Sequence, residues 1–248
     1  MPDDALRRAL AKEPGRPLIT QYDDSTGERV ELSVATVENW VAKTANLLQE
    51  SGVEPGATAA VLLPAHWQTA VILLGCWRAG VAVTYSAVVD DFRTPGAAEG
   101  RDEPAVAFVA ANRAEEVLDS GAEEIWALSL APMAAPLRKV PKGADDYAVA
   151  VRGQADRFTP YAPVNAAGPG LTVEGLSLAG LVSEGQAKAA ELGLEPGGRL
   201  LVSTEPSPVG WLLAPLVADA SLVLLRNPAP AGIERIVTTE RVTTRYPG

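Results

Sequence analysis

Residues 52–64, Gly-Val-Glu-Pro-Gly-Ala-Thr-Ala-Ala-Val-Leu-Leu-Pro, set a turn against a fully apolar run. Gly52 ends whatever helix precedes it, Pro55-Gly56 is a turn, and Ala59 to Pro64 has the unbroken apolar character of a strand buried on both faces of a parallel sheet. On its C-terminal side Trp67 to Ala79 predicts a mostly apolar helix closed by Gly80, followed by a buried strand at Val81–Tyr85. Upstream, Ser33 is a good N-cap for an amphipathic helix in which Val37, Trp40, Val41, Thr44, Leu47 and Leu48 recur at helical spacing up to about Glu50. Before that helix, Leu18–Tyr22 and Val30–Leu32 predict two short strands around the turn Asp23-Asp24-Ser25-Thr26-Gly27. Helices alternating with apolar strands predict a doubly wound, largely parallel α/β sheet.

The pattern returns 141 positions further on. Gly193-Leu194-Glu195-Pro196-Gly197 repeats the turn. At the same offset Val61 falls on Val202, Ala79 on Ala220, Val81–Val83 on Leu222–Leu224, and Val37, Trp40 and Val41 on Leu178, Leu181 and Val182. One helix–turn–strand–helix–strand unit is thus expected twice, around 33–85 and 174–225. Between them Val106–Val109 and Ile125–Leu128 predict strands bracketing a helix from about Arg113 to Ser120. Ala131–Tyr147, with Pro132, Pro136 and Pro141, reads as an irregular connector. The expected organisation is two similar α/β subdomains, 1–140 and 141–248, as separate units or as one compact two-lobed domain.

Composition excludes several classes. A chain of 248 residues buries roughly three quarters of the surface it would expose unfolded. A net charge of −10 argues against a nucleic-acid partner. One cysteine, Cys76, and one histidine, His66, exclude a disulfide framework and the multi-ligand zinc motifs, so no metal site is expected. Met1-Pro2-Asp3-Asp4 is acidic where a secretory signal is basic, and the most apolar window, Val209–Leu225, holds Pro215 and Asp219. The expectation is a cytoplasmic protein that does not insert into membranes.

The order of these motifs resembles the opening of the adenylate-forming superfamily, which includes acyl-CoA synthetases, nonribosomal peptide synthetase adenylation domains and firefly luciferase. The likeness runs through Gly52–Gly56, Val61–Pro64 and Arg78-Ala79-Gly80-Val81, then Leu192–Gly197 through Leu222–Leu225, and ends with Ile233–Pro247. It spans about Arg16 to Gly248. The resemblance implies an N-terminal domain of two α/β subdomains and ATP or AMP as the nucleotide. It also implies a Ser/Thr/Gly-rich phosphate loop between them, whose amides, hydroxyls and lysine neutralise phosphate charge. Here that place is held by Tyr161-Ala162-Pro163-Val164-Asn165-Ala166-Ala167-Gly168-Pro169-Gly170. Aligned on Pro169, the lysine position is Gly170, and alanines or Asn165 replace the hydroxyl residues. Asn165, Gly168 and Gly170 are therefore the candidates for a vestigial phosphate loop, and no catalytic residue is assigned.

A second departure lies near Pro206-Ser207-Pro208-Val209-Gly210, where the family's pocket-lining loop carries an aromatic and a histidine. The family's later motifs and its C-terminal domain with a further lysine are not encoded between residues 1 and 248. Two readings follow from the resemblance. One is a catalytically inactive or impaired acyl-CoA-synthetase-like protein acting by binding or assembly, as a homodimer or with a protein partner. The other is the nucleotide-binding half of an enzyme completed by a separate polypeptide.

Single residues read blandly. His66 at a strand-to-helix turn is expected to cap or lie at the surface, and Cys76 to be a packed, unreactive thiol. Trp40, Trp67 and Trp77 fit helix core positions. The acid pairs Asp23-Asp24, Asp90-Asp91, Glu115-Glu116, Glu123-Glu124 and Asp145-Asp146 are expected to be solvated charge. Gly168-Pro169-Gly170 lacks the third glycine of a dinucleotide fingerprint, which disfavours an oxidoreductase, and no Gly-x-Ser-x-Gly is present for a hydrolase.

Overall fold

The computed structural model describes residues 1–86, 103–118, 120–204, 207–229 and 232–247; Asp90-Asp91 and Pro206 lie outside the described residues. A helix α1 (Pro2–Lys12) precedes strands β1 (Pro17–Asp23) and β2 (Glu28–Ser33), helix α2 (Val34–Glu50), strand β3 (Thr58–Leu62), helix α3 (Trp67–Ala79) and strand β4 (Ala82–Tyr85). Next come β5 (Val106–Ala110), a 3-10 segment (Ala111–Val117), β6 (Glu124–Leu128), β7 (Asp145–Asp146), α4 (Tyr147–Arg152), β8 (Pro169–Leu171) and β9 (Leu176–Ser177). The chain continues with α5 (Leu178–Glu191), β10 (Arg199–Val202), a widened turn (Val209–Leu213), α6 (Ala214–Val217), β11 (Ser221–Arg226), α7 (Ile233–Thr239) and β12 (Thr244–Arg245).

These strands form two sheets, one ordered β12-β10-β11-β1-β2 and the other β7-β6-β5-β3-β4-β8-β9. Strand β3 is the middle strand of seven, as its unbroken apolar run predicts, and its neighbours β4 and β5 are both parallel to it. The first two strands of the chain join the last three, through parallel pairing of β1 with β11. Residues 140 and 141 fall between β6 and β7, which are adjacent in the seven-stranded sheet.

Alternation along the strands defines the layers. Ala59, Val61 and Leu63 face the main core, as do Leu200, Val202, Leu222 and Leu224. Ala60 and Leu62 face a second cluster with Ala114 and Val117 of the 3-10 segment, and Leu201, Val223 and Leu225 face a third with Ile236 of α7. The main core therefore lies between the sheets and holds α3, every residue of which is buried. That explains why α3 is apolar all round. Helices α2 and α3 meet where Gly75 faces Thr44; a Cβ at Gly75 would stand 2.7 Å from the threonine side chain. The Thr44 hydroxyl bonds the Trp40 carbonyl (2.8 Å) and the buried Tyr147 hydroxyl (2.7 Å), fastening α4 to the same place.

The two turn motifs behave alike. Gly52 and Gly56 have φ of 79° and 98°, and Gly193 and Gly197 have 63° and 79°, values that only glycine adopts without strain. The 3-10 segment Ala111–Val117 stands where an α-helix from about Arg113 to Ser120 is expected. Arg113 and Glu116 pair at i,i+3 through two hydrogen bonds of 2.9 and 2.8 Å, a spacing that stacks side chains in a three-residue turn.

Several single-residue expectations are corrected. Asp23 is buried because Ser25 and Asn227 surround its carboxylate with donors, and Asp146 caps α4 while accepting from the Leu137 amide (2.6 Å). Neither is solvated charge. His66 caps α3 through Nδ1, which accepts from the Gln68 amide at 3.1 Å, but it is fully buried and not at the surface. Trp67 and Trp77 are buried, while Trp40 is half-buried and meets the Trp67 ring edge-on at 5.3 Å.

Candidate functional site

The segment from Arg152 to Tyr161 has little regular structure, yet it is held in place. Lys43, Asn46 and Gln49 project from α2 at three-residue spacing and share one stripe of the helix. Lys43 donates to the carbonyl of Gln154, and Asn46 to those of Ala155 and Arg157 (both 2.9 Å). Gln49 donates to Thr159 O (3.2 Å) and accepts from the Tyr161 amide (2.8 Å). The chain is thereby led along α2 towards its C-terminal end. There Val164 packs on Gly80: a Cβ at that glycine would meet Val164 Cγ1 and Pro55 Cβ at 3.1 Å.

This location decides what Asn165–Gly170 faces. Gly80 precedes β4 and Gly56, whose amide bonds the Gly80 carbonyl (2.8 Å), precedes β3, so the segment approaches the amino-terminal edge of the seven-stranded sheet. Asn165 is exposed and closes a turn on itself. Its Oδ1 accepts from the Ala167 amide (3.0 Å) and its carbonyl from the Gly168 amide (2.9 Å). The Gly168 carbonyl accepts from Leu178 N (2.9 Å), which ties the turn to the start of α5. Gly170 is buried in β8, its carbonyl accepting from Trp77 Nε1 at 2.9 Å. A Cβ there would stand 2.8 Å from Leu181 Cδ1 and 3.0 Å from Leu178 N and Ser177 C. The three candidates are therefore close neighbours, but the Ala167 and Gly168 amides are spent within the turn, and Gly170 has no room for a side chain. These residues do not fit a triphosphate.

The carboxyl ends of the parallel strands, where open α/β sheets ordinarily bind ligands, lie elsewhere. Arg226 ends β11 in register with Asp23, which ends β1, and their charges stand 3.9 Å apart. Burial alone would raise the Asp23 carboxyl, but hydrogen bonds from Asn227 and Ser25, with the charge of Arg226, hold it below the usual range. Arg226 borders two clefts. One, of about 280 Å³, lies beyond β3, β5 and β6 and is lined by Leu63, Pro64, Ala110, Asn112, Arg113 and Leu130 as well as Arg226. The other, of about 110 Å³, lies beyond β10 and β11, with Ser203, Thr204 and Asn227 on its wall and Ala65 opposite.

Beside Ala65, His66 is held neutral. Burial, aided by the charge of Arg226 and opposed by Asp23, pulls its pKa down to about 3. With Nδ1 accepting, the proton sits on Nε2, which is buried and has no hydrogen-bond partner among the described residues. Burial pushes the Cys76 thiol up, so the thiolate needed for reaction is suppressed. Among the described residues no cluster of His, Cys, Asp and Glu is arranged to hold a metal ion, and no helix is long and apolar enough to cross a membrane.

A family model described as AMP-binding enzyme matches residues 6–92. The acyl-CoA synthetase of Brucella canis superposes with a TM-score of 0.76 at 16% identity, covering 97% of this chain and 46% of that one. The acetoacetyl-CoA synthetase of Streptomyces lividans gives 0.76 at 22% identity, covering 98% and 41%. The chain thus spans less than half the length of these synthetases. Acetyl-coenzyme A synthetase of Coprinopsis cinerea is 38% identical over 77 residues, 31% of this chain and 12% of that one. A TIGR03089 family protein of Mycobacterium tuberculosis (strain ATCC 25618 / H37Rv) is 40% identical over 239 residues, 94% of this chain and 93% of that protein. The chain belongs to that family, and it shares the fold of the part of the two synthetases that it covers.

Sequence reasoning found the loop segment and missed Arg226. The residue ends a buried strand, and what marks it out is the meeting of two clefts at its side chain, which no local pattern encodes.

Proposed function

We propose that this protein is an acyl-CoA-synthetase-like chain that has lost adenylation and acts through binding or assembly in the cytoplasm. The observation that carries the reading is the closure of Gly170. The position aligned with the family's phosphate-binding lysine is buried against Leu181 and the backbone of Ser177 and Leu178, so neither lysine nor any substitute can stand there without displacing the start of α5. The internally satisfied turn at Asn165–Gly168 supports the same reading, because a phosphate would have to break it to reach the amides. Losing one stabilising contact to a developing oxyanion costs about 10²–10³ in rate, and here the cation and the loop donors are gone together. The like placement of the two turn motifs supports reading residues 33–85 and 174–225 as copies of one ancestral unit, kept for architecture.

The test is acyl-adenylate formation by the purified protein with ATP–Mg²⁺ and a panel of short and long carboxylates. The expected result is no product above the protein-free blank; steady acyl-AMP formation overturns the reading. If product appears only when a second polypeptide is added, the chain is instead one half of a split enzyme. Assembly is read separately by sedimentation, where a dimer is expected and a monomer at high concentration removes that part.

A further inference from the structure

We infer that the paired clefts meeting at Arg226 form a binding site for the phosphoryl group of a small phosphate monoester, with Arg226 as its central ligand. The argument begins with charge. In a chain of net charge −10, neither cleft has an aspartate or glutamate on its lining among the described residues. Among the described residues the lining polar side chains are Arg226, Arg113, Asn112, Asn227, Ser203 and Thr204. Asn227 already donates to Asp23 and Ser25, and Arg113, bonded to Glu116, adds its positive charge, so the donors toward a ligand are Arg226, Asn112, Ser203 and Thr204. A wall of donors around a guanidinium suits an oxyanion presenting several acceptor oxygens, which a tetrahedral phosphoryl group does and a planar carboxylate does less well.

Arg226 is also available. It is three-quarters buried, yet among the described residues its side chain makes no hydrogen bond, and its ion pair with Asp23 spans 3.9 Å. The Asp23 carboxylate is already occupied by Ser25 and Asn227. A partly desolvated guanidinium whose N–H groups lack close acceptors gains strongly from an added oxyanion. Leu63, Pro64 and Leu130 give the larger cleft an apolar wall on which a short carbon body can lie. Position agrees, since both clefts open beyond the carboxyl ends of parallel strands. The site is distinct from Asn165–Gly170, at the amino edge, and stands whether or not the chain adenylates.

The test is calorimetric titration of the intact protein with butyl phosphate, with inorganic phosphate and butyrate as parallel probes at matched ionic strength. The expected result is saturable binding of butyl phosphate, weaker binding of inorganic phosphate, and binding of butyrate at least about tenfold weaker than butyl phosphate. Arg226→Gln is expected to weaken butyl phosphate about tenfold or more, and Arg113→Gln several-fold. Thr204→Val, at the exposed rim, supplies a variant whose folding is not in question and is expected to weaken binding measurably. No saturable binding to the wild type, equal affinity for butyrate, unchanged affinity in a folded Arg226→Gln, or unchanged affinity in both Arg113→Gln and Thr204→Val each overturns the proposal.

Discussion

Trp77, in the last turn of α3, donates its indole N–H to the carbonyl of Gly170 at 2.9 Å, both groups being buried. A helix of the first βαβ unit is thereby bolted to the strand that ends the candidate phosphate loop. Replacing Trp77 by Phe leaves that carbonyl buried without a partner, a loss of about 1–3 kcal/mol beyond the packing change. Urea denaturation is expected to show the lower midpoint, and amide exchange is expected to quicken around Gly168–Thr172.

Gly170 supplies a sharper contrast. Restoring the family's cation as Gly170→Lys drives a Cβ to 2.8 Å from Leu181 and 3.0 Å from backbone, so about 1–3 kcal/mol of stability is expected to be lost with no adenylation gained. Ala167→Lys adds the same charge on the exposed turn and is expected to stay within about 0.5 kcal/mol of wild type. Thermal unfolding of the two variants separates steric closure from charge.

Much of this architecture was legible because its signals are local. Ser33, Gly52 and Gly80 are helix punctuation that acts within a few residues, so α2 and α3 are found with their limits. Strand partners are not local. Strand β1 pairs with β11 across some two hundred residues, and Asp23 is buried only because Asn227 arrives from that distant strand. The stripe Lys43, Asn46 and Gln49 looks like an ordinary solvated face until the segment 152–161, which has no periodicity of its own, is laid on it. The loop candidates were found by likeness, but their inward-turned bonding depends on contacts with α3 and α5 that composition does not record.

Arg78 is another such meeting point. Its guanidinium is buried, paired with Asp3 of α1 and doubly bonded to Glu38 of α2 (2.8 and 2.6 Å), so that three helices share one charge cluster. Arg78→Met leaves the buried Asp3 carboxylate with Arg7 alone (2.7 Å) and Glu38 without its partner, and is expected to cost about 1–3 kcal/mol. The triple variant Asp3→Asn, Glu38→Gln, Arg78→Met removes the uncompensated charge and is expected to recover part of that loss in chemical denaturation. Equal stability of the single variant and wild type would mean that the cluster contributes nothing.

His66 makes stability depend on acid in a defined direction. The unfolded chain protonates it near the ordinary 6.5, whereas the fold, chiefly by burial and also through Arg226, keeps it neutral down to about 3. Between those values the unfolded state binds more protons, so its contribution is complete above about pH 6.5 and is lost progressively as pH falls towards 3. One proton corresponds to a slope approaching about 1.4 kcal/mol per pH unit in the middle of that window. Carboxylates titrate in the lower part of the same range, so the measurement is a difference. His66→Asn keeps an acceptor for the Gln68 amide, since asparagine is a good N-cap, but cannot take up the proton. Urea denaturation of both proteins from about pH 7 to about pH 5 is expected to give two lines that converge as acid is added, because only the wild type carries the histidine slope. Parallel lines would mean that His66 protonates in the folded protein as readily as in the unfolded one, and that its burial is not tight enough to exclude the charge.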